Sequence, residues 1–165
     1  MRELIVVRHG VAVEHGTPGI PDDLRPLTPK GHKAMRKVAR GLGRLGVKPD
    51  RVLSSPLPRA IQTARIVADR LGLNESDVEE TDALGPDRTA EEMRDWLLER
   101  SEDSILIVGH NPGFSRLVDR LTGGDEGAGW CELDKGGVAW FRADAVGRLQ
   151  LAHLLVPKVL RRIKE

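Results

Sequence analysis

Among 165 residues there is one cysteine, Cys131. A disulfide within the chain is therefore excluded, as is any zinc cluster built on several thiolates. The same shortage leaves the redox compartment unspecified and is compatible with a cytosol. Also missing is any apolar run near the ~20 residues that a membrane-spanning helix requires, so no membrane partner is expected. Met1-Arg2-Glu3 leads straight into an apolar stretch, and the expectation is a cytoplasmic protein without a signal peptide. Charge of a single sign is lacking too, with 26 Lys and Arg against 25 Asp and Glu for a net charge of +1. The arginines are scattered, so no strong field concentrates nucleic acid or anionic lipid, and no nucleic-acid partner is expected. The chain has no G-x-x-x-x-G-K-[ST] loop and no H-E-x-x-H, and its five histidines (His9, His15, His32, His110, His153) include no i, i+4 pair. With an arginine directly before His9 to repel a cation, neither a metal nor a cofactor is expected.

What is present suits one domain spanning residues 1–165. Apolar residues make up 39% and charged residues 31%, ordinary for a soluble globular chain, and a unit of this size buries roughly 70% of its unfolded surface. Leu4-Ile5-Val6-Val7 and Ile105-Leu106-Ile107-Val108 are unbroken apolar, mostly β-branched runs. That is the pattern of strands covered on both faces of a parallel sheet. Strands are predicted at Glu3–Val7, Arg51–Ser54 and Ile105–Val108, with a short one near Val78–Thr81 and a closing pair at Gly137–Arg142 and Leu149–Leu155.

Helix signals fall between them. Thr28-Pro29 opens a helix with Ala34, Val38, Leu42 and Leu45 on one stripe and Lys33, Arg36, Lys37, Arg40 and Arg44 on its solvated side. Ser55-Pro56 reads as the cap of a helix with Leu57, Ala60, Ile61, Ala64, Val67, Ala68 and Leu71 on its core stripe. Thr89-Ala90-Glu91-Glu92 is a capping box for a helix through Met93, Trp96 and Leu97, and a helix with Phe114, Leu117, Val118 and Leu121 follows His110. Val11–Leu27, rich in proline, reads as a loop over the sheet rim, Gly123–Gly129 as a glycine-rich connection, and Arg161-Arg162-Ile163-Lys164 as a frayed basic tail. Strand–helix alternation predicts an α/β fold, a three-layer α/β/α sandwich around a largely parallel sheet.

One motif misleads. Gly41-Leu42-Gly43-Arg44-Leu45-Gly46 matches G-x-G-x-x-G, but a dinucleotide fingerprint must join a strand to the helix after it, where the helix N-terminus meets the pyrophosphate. Here the motif closes a helix, and Gly46 reads as a C-cap.

The chemistry gathers elsewhere. Arg8-His9-Gly10 follows the first apolar run and His110 follows the last, at strand ends where ligands of α/β sheets bind. Arg59 sits in the first turn after Ser55-Pro56, where free backbone N–H groups and the helix dipole favour an anion. Two arginines, two imidazoles and two helix starts on one rim suit a phosphoryl group, which takes bidentate guanidinium contacts and an in-line nucleophile.

With V-V-R-H-G near the start, L-S-S-P-L-P-R-A-I-Q-T-A around Arg59 and I-V-G-H-N-P-G around His110, the chain resembles the histidine phosphatase superfamily, of phosphoglycerate mutase-like fold. The short length, R-P-L-T-P-K-G at Arg25–Gly31 and A-L-G-P at Ala83–Pro86 make it most similar to the SixA-type phosphohistidine phosphatases. The resemblance implies that His9 is the nucleophile and is transiently phosphorylated, while Arg8, Arg59 and His110 bind the phosphoryl oxygens. A phosphate beside His110 would keep that imidazole charged. Arg25 is a further candidate substrate contact. Larger relatives supply a glutamate as general acid; here Glu79-Glu80-Thr81-Asp82-Ala83-Leu84 offers only Asp82, with Asp22 and Asp23 as rivals and surface carboxylates as the plain reading of all three.

The expected substrate is a phosphohistidine-bearing protein, because an imidazole leaves a phosphoramidate without the dedicated acid that an alkoxide needs. Only about thirty residues separate the Arg59 helix from the strand before His110, too few for a lid domain. The alternatives are a phosphatase for a phosphorylated small molecule and a non-catalytic phosphate-binding module.

Overall fold

The run at residues 4–7 forms the middle of strand β1 (Glu3–Arg8) in a computed structural model that describes residues 1–124 and 129–163. Leu4, Ile5, Val6 and Val7 are wholly buried because alternate side chains enter different layers. Ile5 and Val7 join Met35, Val38, Ala64 and Val67 on one face, whereas Leu4 and Val6 join Met93, Leu97, Phe114 and Leu117 on the other. Burial of each such side chain contributes roughly 1.5–3 kcal/mol relative to exposure, so the strand anchors both layers.

The remaining strands are β2 (Arg51–Ser54), β3 (Glu79–Glu80), β4 (Ser104–Gly109), β5 (Val138–Ala143) and β6 (Leu149–Leu155), and they form one sheet in the order β3-β2-β4-β1-β5-β6. The first four in that order run parallel, and β5 and β6 continue the sheet antiparallel. Helices α1 (Pro29–Arg44), α2 (Pro58–Arg70) and the short α5 (Pro157–Leu160) contribute to one core, and α3 (Ala90–Leu98) and α4 (Gly113–Leu121) to the other. This is the α/β/α layering expected from the sequence. Among the described residues no helix is long and apolar enough to cross a membrane.

Several local expectations are corrected. Ser55-Pro56 does not cap α2, which begins at Pro58 with Leu57 at its N-cap and no side-chain cap. Leu45 is exposed, because α1 ends there, and Met35 and Ala39 complete the buried stripe instead. Glu79–Glu80 is shorter than predicted. The C-terminal basic stretch follows a docked helix, α5, whose Leu160 is buried against α1; Lys164 lies outside the described residues, as do residues 125–128 of the glycine-rich connection.

The G-x-G-x-x-G motif acquires a structural explanation. A Cβ at Gly41 would stand 2.4 Å from the Leu160 carbonyl oxygen, so this glycine admits the backbone of α5. Gly46 takes a φ of +84° just past the C-cap Leu45, the left-handed turn that ends many helices.

Candidate active site

Register places the site. Arg8 of β1 stands opposite Gly109 of β4, and Ser54 of β2 opposite Val108. His9 and His110 therefore leave two adjacent parallel strands at one level, and Ser55 leaves the third one residue short of it. The His9 N–H donates to the Gly109 carbonyl (3.0 Å) and the Ser55 N–H to the Val108 carbonyl (3.0 Å), extending the ladder into the rim.

His9 is 7% exposed, and its Nδ1 lies 2.7 Å from the Gly10 carbonyl oxygen. A carbonyl only accepts, so Nδ1 carries the proton and the neutral ring presents an unprotonated Nε2. Burial drives the pKa of His9 down to about 4, assisted by the charges of Arg59, Arg8 and Lys135 and opposed by the Gly10 bond. The Gly10 N–H donates to Thr63 Oγ1 (3.0 Å), whose own hydroxyl donates to the Arg59 carbonyl one turn back (2.7 Å). Thr63 is fully buried and thus ties the backbone beside His9 to the start of α2.

His110 stands with its ring centroid 5.1 Å from that of His9. Its Nε2 is 2.8 Å from Ser55 Oγ, while Nδ1 is buried without a partner. Burial, then the proximity of His9, Arg59 and Arg25, lowers its pKa to about 3, against the pull of Asp22. In the free protein both imidazoles are neutral near pH 7, and the charged His110 anticipated from the sequence requires a bound anion.

The two arginines are held alike. Arg8 Nη1 donates to the Leu133 carbonyl (2.6 Å) and Arg59 Nη1 to the Asp22 carbonyl (2.8 Å), and each buried Nε has no partner. A backbone carbonyl fixes each guanidinium, and Arg59 Nη2 also lies 3.8 Å from the Asp22 carboxylate. Burial opposes that charge in both, relieved by Glu132 and Asp134 at Arg8 and by Asp22 and Asp23 at Arg59.

The other candidates occupy the flank. Arg25 donates from Nε to Asp22 Oδ1 (2.7 Å) and from Nη1 to the Val13 carbonyl (2.7 Å), which makes it a brace of the loop before α1. Asp22 also receives His15, and the His15 and Arg25 bonds hold its carboxyl at about 2. An ionised, engaged carboxylate is poorly suited to donate a proton near pH 7. Asp82 is exposed and lines a cleft of about 690 Å³ with Asp22, Asp23, Pro56, Leu57 and Arg88, next to the Arg59 end of the site. Among the described residues no group of three or more His, Cys, Asp or Glu side chains is placed to hold a metal ion.

Sequence alone does not single out Thr63, Ser55 or the Leu133 carbonyl. Thr63 carries one signal, its i, i+4 spacing from Arg59 on α2, which puts both on one helix face. Ser55 reads as a cap until the strand register shows it beside His110. The Leu133 carbonyl bears no side-chain signal at all.

Comparison with known proteins identifies the family. The histidine phosphatase superfamily (branch 1) model matches residues 4–85. The chain is 31% identical over 125 residues to the phosphohistidine phosphatase SixA of Escherichia coli, covering 74% of this chain and 76% of that one. It is 34% identical over 155 residues to an uncharacterized protein of Picosynechococcus sp., covering 92% and 90% of the two chains. A solved structure of the protein histidine phosphatase SixA complexed with tungstate superposes with a TM-score of 0.81 at 28% identity, over 96% of this chain and 99% of that one. On sequence and fold together, the chain belongs to the histidine phosphatase superfamily.

Proposed function

We propose that residues 1–165 form one domain that dephosphorylates phosphohistidine on proteins through a phospho-His9 intermediate. One observation carries the reading: Arg8 Nε, Arg59 Nε and His110 Nδ1 are buried polar atoms without partners at one rim. Buried unpaired polar groups cost about 1–3 kcal/mol each, and a tetrahedral oxyanion accepting from them removes that cost. The similarity to a histidine phosphatase structure holding tungstate, an oxyanion of that shape, supports the same ligand class here.

The chemistry follows from the tautomer. The His9 Nε2 lone pair attacks phosphorus in line, the substrate P–N bond breaks, and its electron pair leaves with the imidazole, which takes a proton from solvent or from Asp82. Arg8, Arg59 and His110 hold the phosphoryl oxygens as charge redistributes. Water then attacks phospho-His9, the new P–N bond breaks back to His9, and orthophosphate departs. The arginines supply fixed positive charge, so no step requires a metal. Asp22 is withdrawn as the acid by its ion pairs, which leaves Asp82 and Asp23.

A small phosphorylated molecule is the second reading, favoured by the cleft beside Arg59, which Asp82 lines and where it would protonate an alkoxide. Incubation with a radiolabelled phosphohistidine protein separates the two. Release of phosphate with acid-labile, alkali-stable label on His9, lost in His9→Ala, is the expected result. Turnover of phosphomonoesters alone would favour the second reading, and no label with either class would leave only a phosphate-binding module.

A further inference from the structure

On α4, Ser115 and Asp119 lie one helical turn apart and both are buried, Asp119 to 2% exposure. The carboxylate accepts the N–H of Cys131 (2.9 Å) and of Gly129 (3.1 Å), and Ser115 Oγ accepts the N–H of Leu133 (3.0 Å). Three alternate N–H groups of one segment, residues 129–133, are thus fastened to the helix. No Lys, Arg or His pairs with Asp119 among the described residues. Burying a carboxylate without a countercharge is costly, and the compensation here is charge-assisted hydrogen bonding to backbone.

The far side of that segment reaches the candidate active site. The Leu133 carbonyl accepts Arg8 Nη1 (2.6 Å) and Asn111 Nδ2 (3.1 Å), so it sets where the Arg8 guanidinium lies. Glu132 and Asp134 flank it, and both charges act on Arg8. If the segment shifts, either carboxylate is free to draw the guanidinium into an ion pair and away from the phosphoryl group. We propose that Asp119 is a positioning residue of the phosphate cradle, holding Arg8 through residues 129–133. This rests on the reading of Arg8 as a phosphate ligand.

Tungstate affinity, measured by calorimetry on the whole chain, and the split between KM and kcat on a phosphohistidine protein test it. Asp119→Ala is expected to weaken tungstate binding and raise KM by about ten- to hundredfold, the scale of a small misplacement at a site, with a smaller change in kcat. Asp119→Asn keeps one acceptor and is expected to restore part of the affinity. In an Arg8→Ala background Asp119→Ala should add little, since both act through one group. If Asp119→Ala does not fold, Asp119→Asn and Ser115→Ala carry the same comparison. Unchanged tungstate affinity in folded Asp119 variants, or losses additive with Arg8→Ala, overturns the positioning role alone. A wild-type protein that fails to bind tungstate overturns the phosphate site itself.

Discussion

The imidazoles of His9 and His110 face each other at 5.1 Å between ring centroids, with planes tilted by 57°. Each is buried, and a proton on His9 would raise the cost of one on His110. Both pKa values therefore lie below the ordinary 6.5, near 4 for His9 and near 3 for His110. An NMR titration of the free protein is expected to leave both rings neutral from pH 7 down to about 5. The same shifts predict a pH dependence of stability. Histidines depressed in the folded state take up protons first in the unfolded chain, so stability is complete above pH 6.5 and declines as pH falls toward 4. Urea midpoints from pH 6.5 down to about 5 should fall in the wild type and fall less in a His9→Gln, His110→Gln double variant. Ring signals titrating near 6.5 would contradict the burial argument.

Thr63 joins two parts of the site through one hydroxyl, accepting from Gly10 and donating to the Arg59 carbonyl. Thr63→Val keeps the shape and removes both bonds, leaving the Gly10 N–H buried and unpaired at a cost of about 1–3 kcal/mol. The Gly10 carbonyl that orients His9 belongs to the same residue, so kcat is expected to fall along with stability. Thr63→Ser retains the hydroxyl and should recover most of both in a denaturation and turnover comparison. Equal turnover in the valine variant would mean that His9 is oriented without this bridge.

These examples show what the chain discloses before folding. Side chains that bear the chemistry, Arg8, His9, Arg59 and His110, announce themselves at strand and helix ends, and the apolar runs at residues 4–7 and 105–108 fix the sheet's buried centre. Geometry that depends on main-chain atoms stays hidden. The carbonyls of Leu133 and Asp22 hold both arginines, yet no residue type marks a carbonyl as functional. Ser55 sits in a cap-like Ser-Pro, and only the pairing of β2 with β4 brings it beside His110. Asp22 and Asp82 look equivalent as carboxylates until the partners of Asp22 are known.

That distinction can be measured. Asp22 is bonded to His15 and Arg25, and its carboxyl titrates at about 2. It is also half exposed, and of its two contacts with Arg59 the backbone carbonyl bond survives a substitution, while the 3.8 Å ion pair of the carboxylate with Nη2 is lost. Asp22→Asn is therefore expected to lower kcat by no more than about fivefold, within the scale of an exposed ion pair. A loss near the hundredfold contribution of a general acid would restore Asp22 to that role. Phosphomonoesters with poor leaving groups give the most sensitive assay, because they depend most on protonation.

Two glycines of the G-x-G-x-x-G stretch should respond with opposite signs. At Gly41 a Cβ would meet the Leu160 carbonyl oxygen at 2.4 Å, a backbone atom that cannot swing aside. Gly41→Ala must push α5 outward and loosen the buried Leu160, an overpacking cost of about 1–3 kcal/mol. At Gly43 the nearest atom is Leu71 Cδ2 at 3.5 Å, an ordinary contact. Gly43→Ala there gains helix propensity of roughly 0.8–1 kcal/mol inside α1. At ~2–4 °C per kcal/mol for a domain of this size, thermal melts should move down for the first variant and up for the second. A nucleotide site would instead lose ligand at both positions with no such split in stability, so a melt in which both fall, accompanied by measurable nucleotide binding in the wild type, would reverse the assignment of this motif to helix docking.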